Sequence, residues 1–437
     1  MNFDQVDLII RDCTILPLAN MEIINDGLIA IKDGKISYVG KVVNAPEMTA
    51  ENVLESQGKL AMPGLINCHT HLAMTLFRGL AEDITLERWL NETIWPLEAK
   101  LKPQDVYIGA LLGCLEMIKN GITCFADMYF FEPEVAEAVK KAGLRAVLAS
   151  AIIEAGDFEK GRKMLKEAVG FAKRYQGYAD GRITALLGPH TAFTCSEELL
   201  ARVREEASKT DLGIHIHIAE SKEMAMNIRK ERQLSEVEFL EKISFLEDDV
   251  LAAHCIHLDE KDIAILVKKG VKVAHNPVAN MKLAQGIAKI KELIDAGITV
   301  GLGTDGAASN NSLDMFESMK IAAILQKTNY KDPTVLPARK ILEMATIKGA
   351  EALGLEDQIG SLEVGKKADI ILVDLSKPNL TPLHELYANL VYSAHGYDVD
   401  STIVDGKILM ENREVKTFNE KEVMEHAQNT AFNLLKR

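Results

Sequence analysis

Pro63-Gly64-Leu65-Ile66-Asn67-Cys68-His69-Thr70-His71 is a short apolar run that ends in two histidines one residue apart. A strand sends alternate side chains to one face, so His69 and His71 aim the same way and lie close enough to share one ion. A strand end of this kind offers half of a tetrahedral metal site. Taken alone, the pair fits two ordinary surface or core histidines at least as well.

The remaining apolar runs end in the same manner. Ile183 to Gly188 leads into Pro189-His190, and Gly213 to Ile218 carries His215 and His217 before Glu220. Val250 to Ala253 ends at His254, Val271 to Ala274 at His275, and Thr299 to Gly303 leads through Thr304 to Asp305. Amphipathic helical stretches separate them, near 105–120, 134–142, 159–175, 196–209, 259–269, 287–297 and 336–352. Buried strands alternating with helices make a parallel sheet of βα units. Candidate strands start near 64, 123, 145, 183, 213, 250, 271 and 299. Eight such units predict an α/β fold, a (β/α)8 TIM barrel whose site lies at the carboxyl ends of its strands, where these polar residues fall.

The chain has 437 residues, more than the ~250 of a plain barrel, which leaves room for one further small domain. Its formal charge of −14 disfavours nucleic acid and anionic membrane as partners. The six cysteines (Cys13, Cys68, Cys114, Cys124, Cys195, Cys255) are scattered, with no Cys-x-x-Cys, so free thiols and a cytoplasmic, reducing setting are expected. Met1-Asn2-Phe3-Asp4-Gln5 does not read as a signal peptide, and no apolar stretch is long enough to span a bilayer.

Both chain ends read as strands. Val6 to Ile10 and Gly27 to Val39 alternate, and Asp33-Gly34 and Asp405-Gly406 each mark a hairpin. Neither end has enough strands for a core of its own, so both are expected to join in one small β-sandwich. The division expected is 1–58 and 361–437 for that domain and 59–360 for the barrel. A last helix near 420–435 starts at the cap Asn419.

Pro-Gly-Leu-Ile-Asn-x-His-x-His, His-Ile-His-Ile-Ala-Glu, Ala-His-Cys and Gly-Thr-Asp-Gly, flanked by a split β-domain, resemble the amidohydrolase superfamily. More narrowly, the chain resembles the 5′-methylthioadenosine/S-adenosylhomocysteine deaminase family, with 5′-deoxyadenosine deaminases as near relatives. The likeness spans essentially the whole chain.

His69, His71 and His217 would give three nitrogens and Asp305 one oxygen, a catalytic set with room for water. Zinc suits it best, and iron also accepts such ligands. Many relatives hold a second metal through a modified lysine on the fourth strand. The run Ala185 to His190 has no lysine, so one divalent ion per subunit is expected. His215 shares a face with His217 and reads equally as support or as packing. His254 would orient or deprotonate the water. The resemblance implies that Glu220 faces the purine and carries protons, that His190 and Trp89 contact substrate, and that Glu98 accepts from the ribose hydroxyls, as an acceptor-only group can.

One departure concerns the 5′ end of the substrate. Family members that use S-adenosylhomocysteine carry an arginine after the third strand. Here Ala149 to Asp157 has none, the next being Arg162, and Glu154 and Asp157 are expected to repel a carboxylate there. The expected activity is hydrolytic deamination of 5′-substituted adenosines, by-products of S-adenosylmethionine chemistry, in a dimer or tetramer. The rivals are a related deaminase or chlorohydrolase acting on guanine, cytosine or a triazine, and a catalytically silent barrel used as a binding scaffold.

Overall fold

The computed structural model describes residues 4–18 and 22–437, so Met1 to Phe3 of the N-terminal reading lie outside the described residues. In chain order its strands are β1 (Asp4–Ile15), β2 (Ile24–Lys32), β3 (Lys35–Lys41), β4 (Met48–Glu55), β5 (Lys59–Pro63), β6 (Leu65–Thr70), β7 (Ile122–Tyr129), β8 (Arg145–Ile152), β9 (Ile183–Pro189), β10 (Ile214–Ile218), β11 (Val250–His254), β12 (Lys272–His275), β13 (Val300–Leu302), β14 (Ile370–Asp374), β15 (Val399–Val404), β16 (Lys407–Glu411) and β17 (Glu414–Val415).

Strands β6 to β13 form one parallel sheet in sequence order. The last returns beside the first. Asp305 N–H donates to the His69 carbonyl at 2.9 Å, and a Cβ at Gly301 would lie 2.4 Å from Cys68 Sγ. This is the expected barrel, and each strand starts within one residue of its expected place. Ile66, Cys68, Cys124, Ala126, Val147, Leu251 and Ala274 share one apolar cluster although their strands are not all neighbours, so the cluster fills the barrel lumen. Ala350, Ala352, Leu355 and Ile359 join it and close that end.

The chain ends make a separate nine-stranded sheet. Strand β5 pairs with β14, Pro63 opposite Ile370 and Lys59 opposite Asp374, and also touches β1. Leu8, Ile10 and Ile29 from one end pack with Ile370, Leu372 and Ile403 from the other. Both Asp-Gly pairs are two-residue turns with positive φ, +52° and +73° at Asp33-Gly34, +51° and +74° at Asp405-Gly406. Barrel and sheet meet at a buried ion pair. Arg145 donates from Nε and Nη2 to Asp369 at 2.8 and 3.0 Å, and Asp369 also accepts from the Asp405 N–H.

The expected helical stretches are present, that over 287–297 shortened to Ile290–Asp295, and the helices Lys222–Arg232 and Glu236–Lys242 come in addition to them. The single helix expected over 336–352 is two, Ala338–Met344 and Ile347–Ala352. It breaks because the Ala345 carbonyl is turned to the Ile66 N–H at 2.9 Å. Met315–Tyr330 is a helix that periodicity missed; its apolar residues (Met315, Phe316, Met319, Ala322, Ala323, Leu325) leave no single polar face to mark it. The final helix is Glu420–Leu435, and the Asn419 side chain accepts from the Lys421 and Glu422 N–H groups as expected. No described helix is long and apolar enough to cross a membrane.

Candidate metal centre and active site

The end of β6 is irregular. Its pairing with β7 shifts register between Asn67 and Thr70, and a bulge of this kind re-aims side chains. His69 Nε2 lies 3.6 Å from Asp305 Oδ1. His71 Nε2 lies 3.4 Å from the same oxygen and 3.4 Å from His217 Nε2. The donor atoms of His69, His71 and His217 fall within 4.8 Å of one another, as do those of His69, His254 and Asp305. Four strand ends thus converge at the expected place.

The outer nitrogens of these rings are already engaged. His71 Nδ1 donates to the Met128 carbonyl at 2.6 Å, and His217 Nδ1 to the His190 carbonyl at 2.9 Å. His69 Nδ1 meets His215 Nε2 at 2.9 Å, so the open question over His215 resolves toward support. Each contact leaves Nε2 with its lone pair facing the cluster, the arrangement that prepares imidazoles for a metal. Buried His69 Nε2 has no hydrogen-bond partner, which a bound cation would relieve. Burial first, then the neighbouring histidines, holds His69 and His217 well below the ordinary imidazole value; His215 falls to about 3 for the same reasons. Neutral rings are the ligating form.

His254 Nδ1 meets Asn280 Oδ1 at 2.8 Å, and its Nε2 stands 3.8 Å from Glu220 Oε1. Burial raises the Glu220 carboxyl; His254 opposes the shift and Asp305 adds to it. Ala219, His254, Cys255 and Asp305 all have left-handed φ, between +50° and +70°. Each such residue costs on the order of 1–3 kcal/mol, and such strain gathers at functional sites.

A cavity opens from the cluster. His71, His217, His254, Asp305 and Glu220 line it together with His190, Trp89, Trp95, Tyr129 and Glu98, the Tyr129 ring lying 6.3 Å from that of His71. Trp89 begins a π-helical segment, Trp89–Ile94, directly before the short helix Trp95–Glu98. Burial raises Glu98 to about 7, with the Tyr129 hydroxyl opposing the shift, and burial lowers His190 to about 4, helped by His71 and His254. All nine residues singled out from sequence therefore border one space or the cluster beside it. Tyr129 and Asn280 were missed. Their partners are distant in sequence, and neither type stands out in its run.

The loop after β8 requires a correction. Glu154 is buried and accepts from the Ser196 hydroxyl at 2.8 Å. Asp157 caps its own helix through the Lys160 N–H at 3.0 Å. Neither carboxylate lines the cavity. Arg162 is half-exposed beside Glu159 and Glu198. Lys160 instead borders an adjoining space that shares Trp95, Glu98, Phe130, Ala151 and Ile153 with the first.

Residues 60–409 match the amidohydrolase family. The chain is 51% identical over 433 residues, 99% of each chain, to a 5′-deoxyadenosine deaminase of Methanosarcina acetivorans. It is 47% identical to a 5-methylthioadenosine/S-adenosylhomocysteine deaminase of Desulforudis audaxviator, over 98% of this chain and 99% of that one. A zinc-bound adenosine deaminase from Xanthomonas campestris superposes with a TM-score of 0.95 at 32% identity, over all of both chains. With a histidine and aspartate cluster at the strand ends of a barrel and full-length likeness of this degree, the chain belongs to the amidohydrolase family.

Proposed function

We propose that this protein hydrolytically deaminates 5′-substituted adenosines, releasing ammonia and an inosine analogue. The observation that carries the reading is the single cavity joining the His69, His71, His217 and Asp305 cluster to Glu98, with Glu220, His254 and His190 on its walls. The names of its relatives point the same way.

The donor set and the unpartnered His69 Nε2 fit one divalent ion, zinc by ligand type, held by His69, His71, His217 and Asp305. Such an ion, when bound, acidifies a water toward a pKa of ~7. Asp305 and His254 accept the proton released as the water oxygen bonds to C6 of the adenine. Glu220, kept protonated longer by its burial, delivers a proton to the adjoining ring nitrogen. One proton returns to the departing amino group and the proton of the new C6 hydroxyl returns to Glu220, so that the bond from C6 to the amino nitrogen breaks, C6=O forms and ammonia leaves. Glu98 accepts from the 2′ and 3′ hydroxyls; Trp89 covers the nucleoside and His190 contacts it.

Beside Glu98 the walls shared with the adjoining space are mainly apolar (Trp95, Phe130, Ala151, Ile153). They suit a deoxy or methylthio 5′ end better than a homocysteine zwitterion. Guanine, cytosine or triazine substrates would give Glu98 no diol to accept from. A silent scaffold would have no use for Glu220 and His254. Six free, buried cysteines suit a cytoplasmic setting, and a dimer or tetramer is inferred from the resemblance alone.

Ammonia release from 5′-deoxyadenosine, 5′-methylthioadenosine, S-adenosylhomocysteine, adenosine, guanine, cytosine and atrazine tests the reading. The 5′-substituted adenosines should lead in kcat/KM. Turnover confined to a free base or a triazine would overturn it.

A further inference from the structure

Glu236 is a buried carboxylate beside the site. It is the first residue of the helix Glu236–Lys242, whose start is already capped. Ser235 Oγ accepts the Glu238 N–H at 3.0 Å, and Glu238 accepts the Ser235 N–H at 2.8 Å. An ordinary first-turn carboxylate would stay in solvent near the helix dipole. Glu236 is instead only 6% exposed.

Its contacts lead to the site. Ala219 N–H donates to Glu236 Oε2 at 2.8 Å, and the Ala192 N–H also favours its charged form. Ala219 lies directly before Glu220, with φ +50°; Ala192 lies two residues after His190. The Ala219 carbonyl accepts from the Ile256 and His257 N–H groups at 3.0 Å each, just past His254. The Ala219 peptide is thus gripped at both ends, and the ends of β9, β10 and β11 meet around it.

We propose that Glu236 is a positioning residue: its carboxylate locks the left-handed Ala219 peptide, aims Glu220 at the purine ring and holds the His190 loop in the same frame. The proposal rests on the reading of Glu220 as the proton carrier. Without that anchor Ala219 is held only through its carbonyl, the Glu220 carboxyl drifts from its line to the ring, and proton delivery slows while the nucleoside still binds. Glutamine can accept one of the two N–H groups through its carbonyl, whereas alanine accepts neither.

A double-mutant cycle tests this on the full-length, metal-loaded protein. Glu236→Ala should lower kcat by about 10–100-fold, with metal content unchanged, KM within about threefold, and the limb of the kcat–pH profile assigned to Glu220 displaced. Glu236→Gln should recover at least about a third of the wild-type kcat, and serves as the test variant if alanine fails to fold. In the Glu220→Gln background, removing the Glu236 carboxylate should cost less than about threefold more, because groups that act as one unit are non-additive. Equal losses in both backgrounds, loss of metal, or a Glu236→Gln protein no better than Glu236→Ala would overturn the proposal. A Glu220→Gln protein with near-normal kcat would instead sink the proton-carrier reading first, so the two failures are distinct.

Discussion

His254 Nε2 and Glu220 Oε1 lie 3.8 Å apart across the mouths of two neighbouring strands. Under the proposed function the two are a base and an acid on one wall, each held from behind, His254 by Asn280 and Glu220 through the Ala219 peptide. Each can then move one proton of a reaction that needs two moved.

Glu220→Gln keeps size and hydrogen bonding and removes the proton carrier. General acid–base catalysis contributes ~10²–10⁴-fold, so kcat should fall by about that factor. Metal content by elemental analysis should stay at one ion per chain. Two ions per chain, both needed for turnover, would contradict the mononuclear site.

His215→Ala removes the partner that fixes the His69 ring at 2.9 Å. Loss of such a support costs about 10–100-fold in metal affinity. Competition with a graded chelator should show this weakening with the fold unchanged by circular dichroism. Unaltered retention of metal would leave His215 a packing residue.

Glu98 is raised to about 7, mainly by burial. Its acceptor-only form therefore grows as pH rises through that value. KM for ribonucleosides should fall between about pH 6 and 8, while 2′-deoxy analogues show no such trend. Glu98→Ala should abolish most of the ribose preference, since hydrogen bonds to a charged group are worth about 1.5–3 kcal/mol. Identical pH trends for both sugars would separate Glu98 from the diol.

At the 5′ end, 5′-deoxyadenosine or 5′-methylthioadenosine should exceed S-adenosylhomocysteine in kcat/KM by at least about tenfold, or ~1.4 kcal/mol. The side chain to remove as a check is Lys160, which borders the adjoining space, and not Arg162, which pairs with Glu159 and Glu198. If S-adenosylhomocysteine leads, Lys160→Ala should selectively erase that lead; otherwise this wall of the cavity is misassigned.

The barrel and its metal cluster were legible because a strand has a two-residue period and ends abruptly. His69, His71, His217, His254 and Asp305 stand at those ends, so one-dimensional spacing already carried their three-dimensional placement. Glu154 and Asp157 show the limit. Their position in the loop was read correctly, but the direction of a carboxylate depends on which N–H or hydroxyl group it satisfies, here Ser196 and Lys160. Asn280 and Glu236 were unreadable for a related reason: their partners lie 26 and 17 residues away. The helix Met315–Tyr330 escaped because burial on several sides erases the periodic signal.

The pairing of β5 with β14 also sets a clock on synthesis. Pro63 and Ile370 are partners, yet they leave the ribosome about 300 residues apart, on the order of 15–60 s at ordinary elongation rates. For that interval the strand leading into His69 has an unpaired edge, and all eight barrel strands are made before β14 can cover it. Nascent chains arrested before Ile370 should accordingly be cut by protease near Lys59–Pro63, whereas chains released at full length should resist.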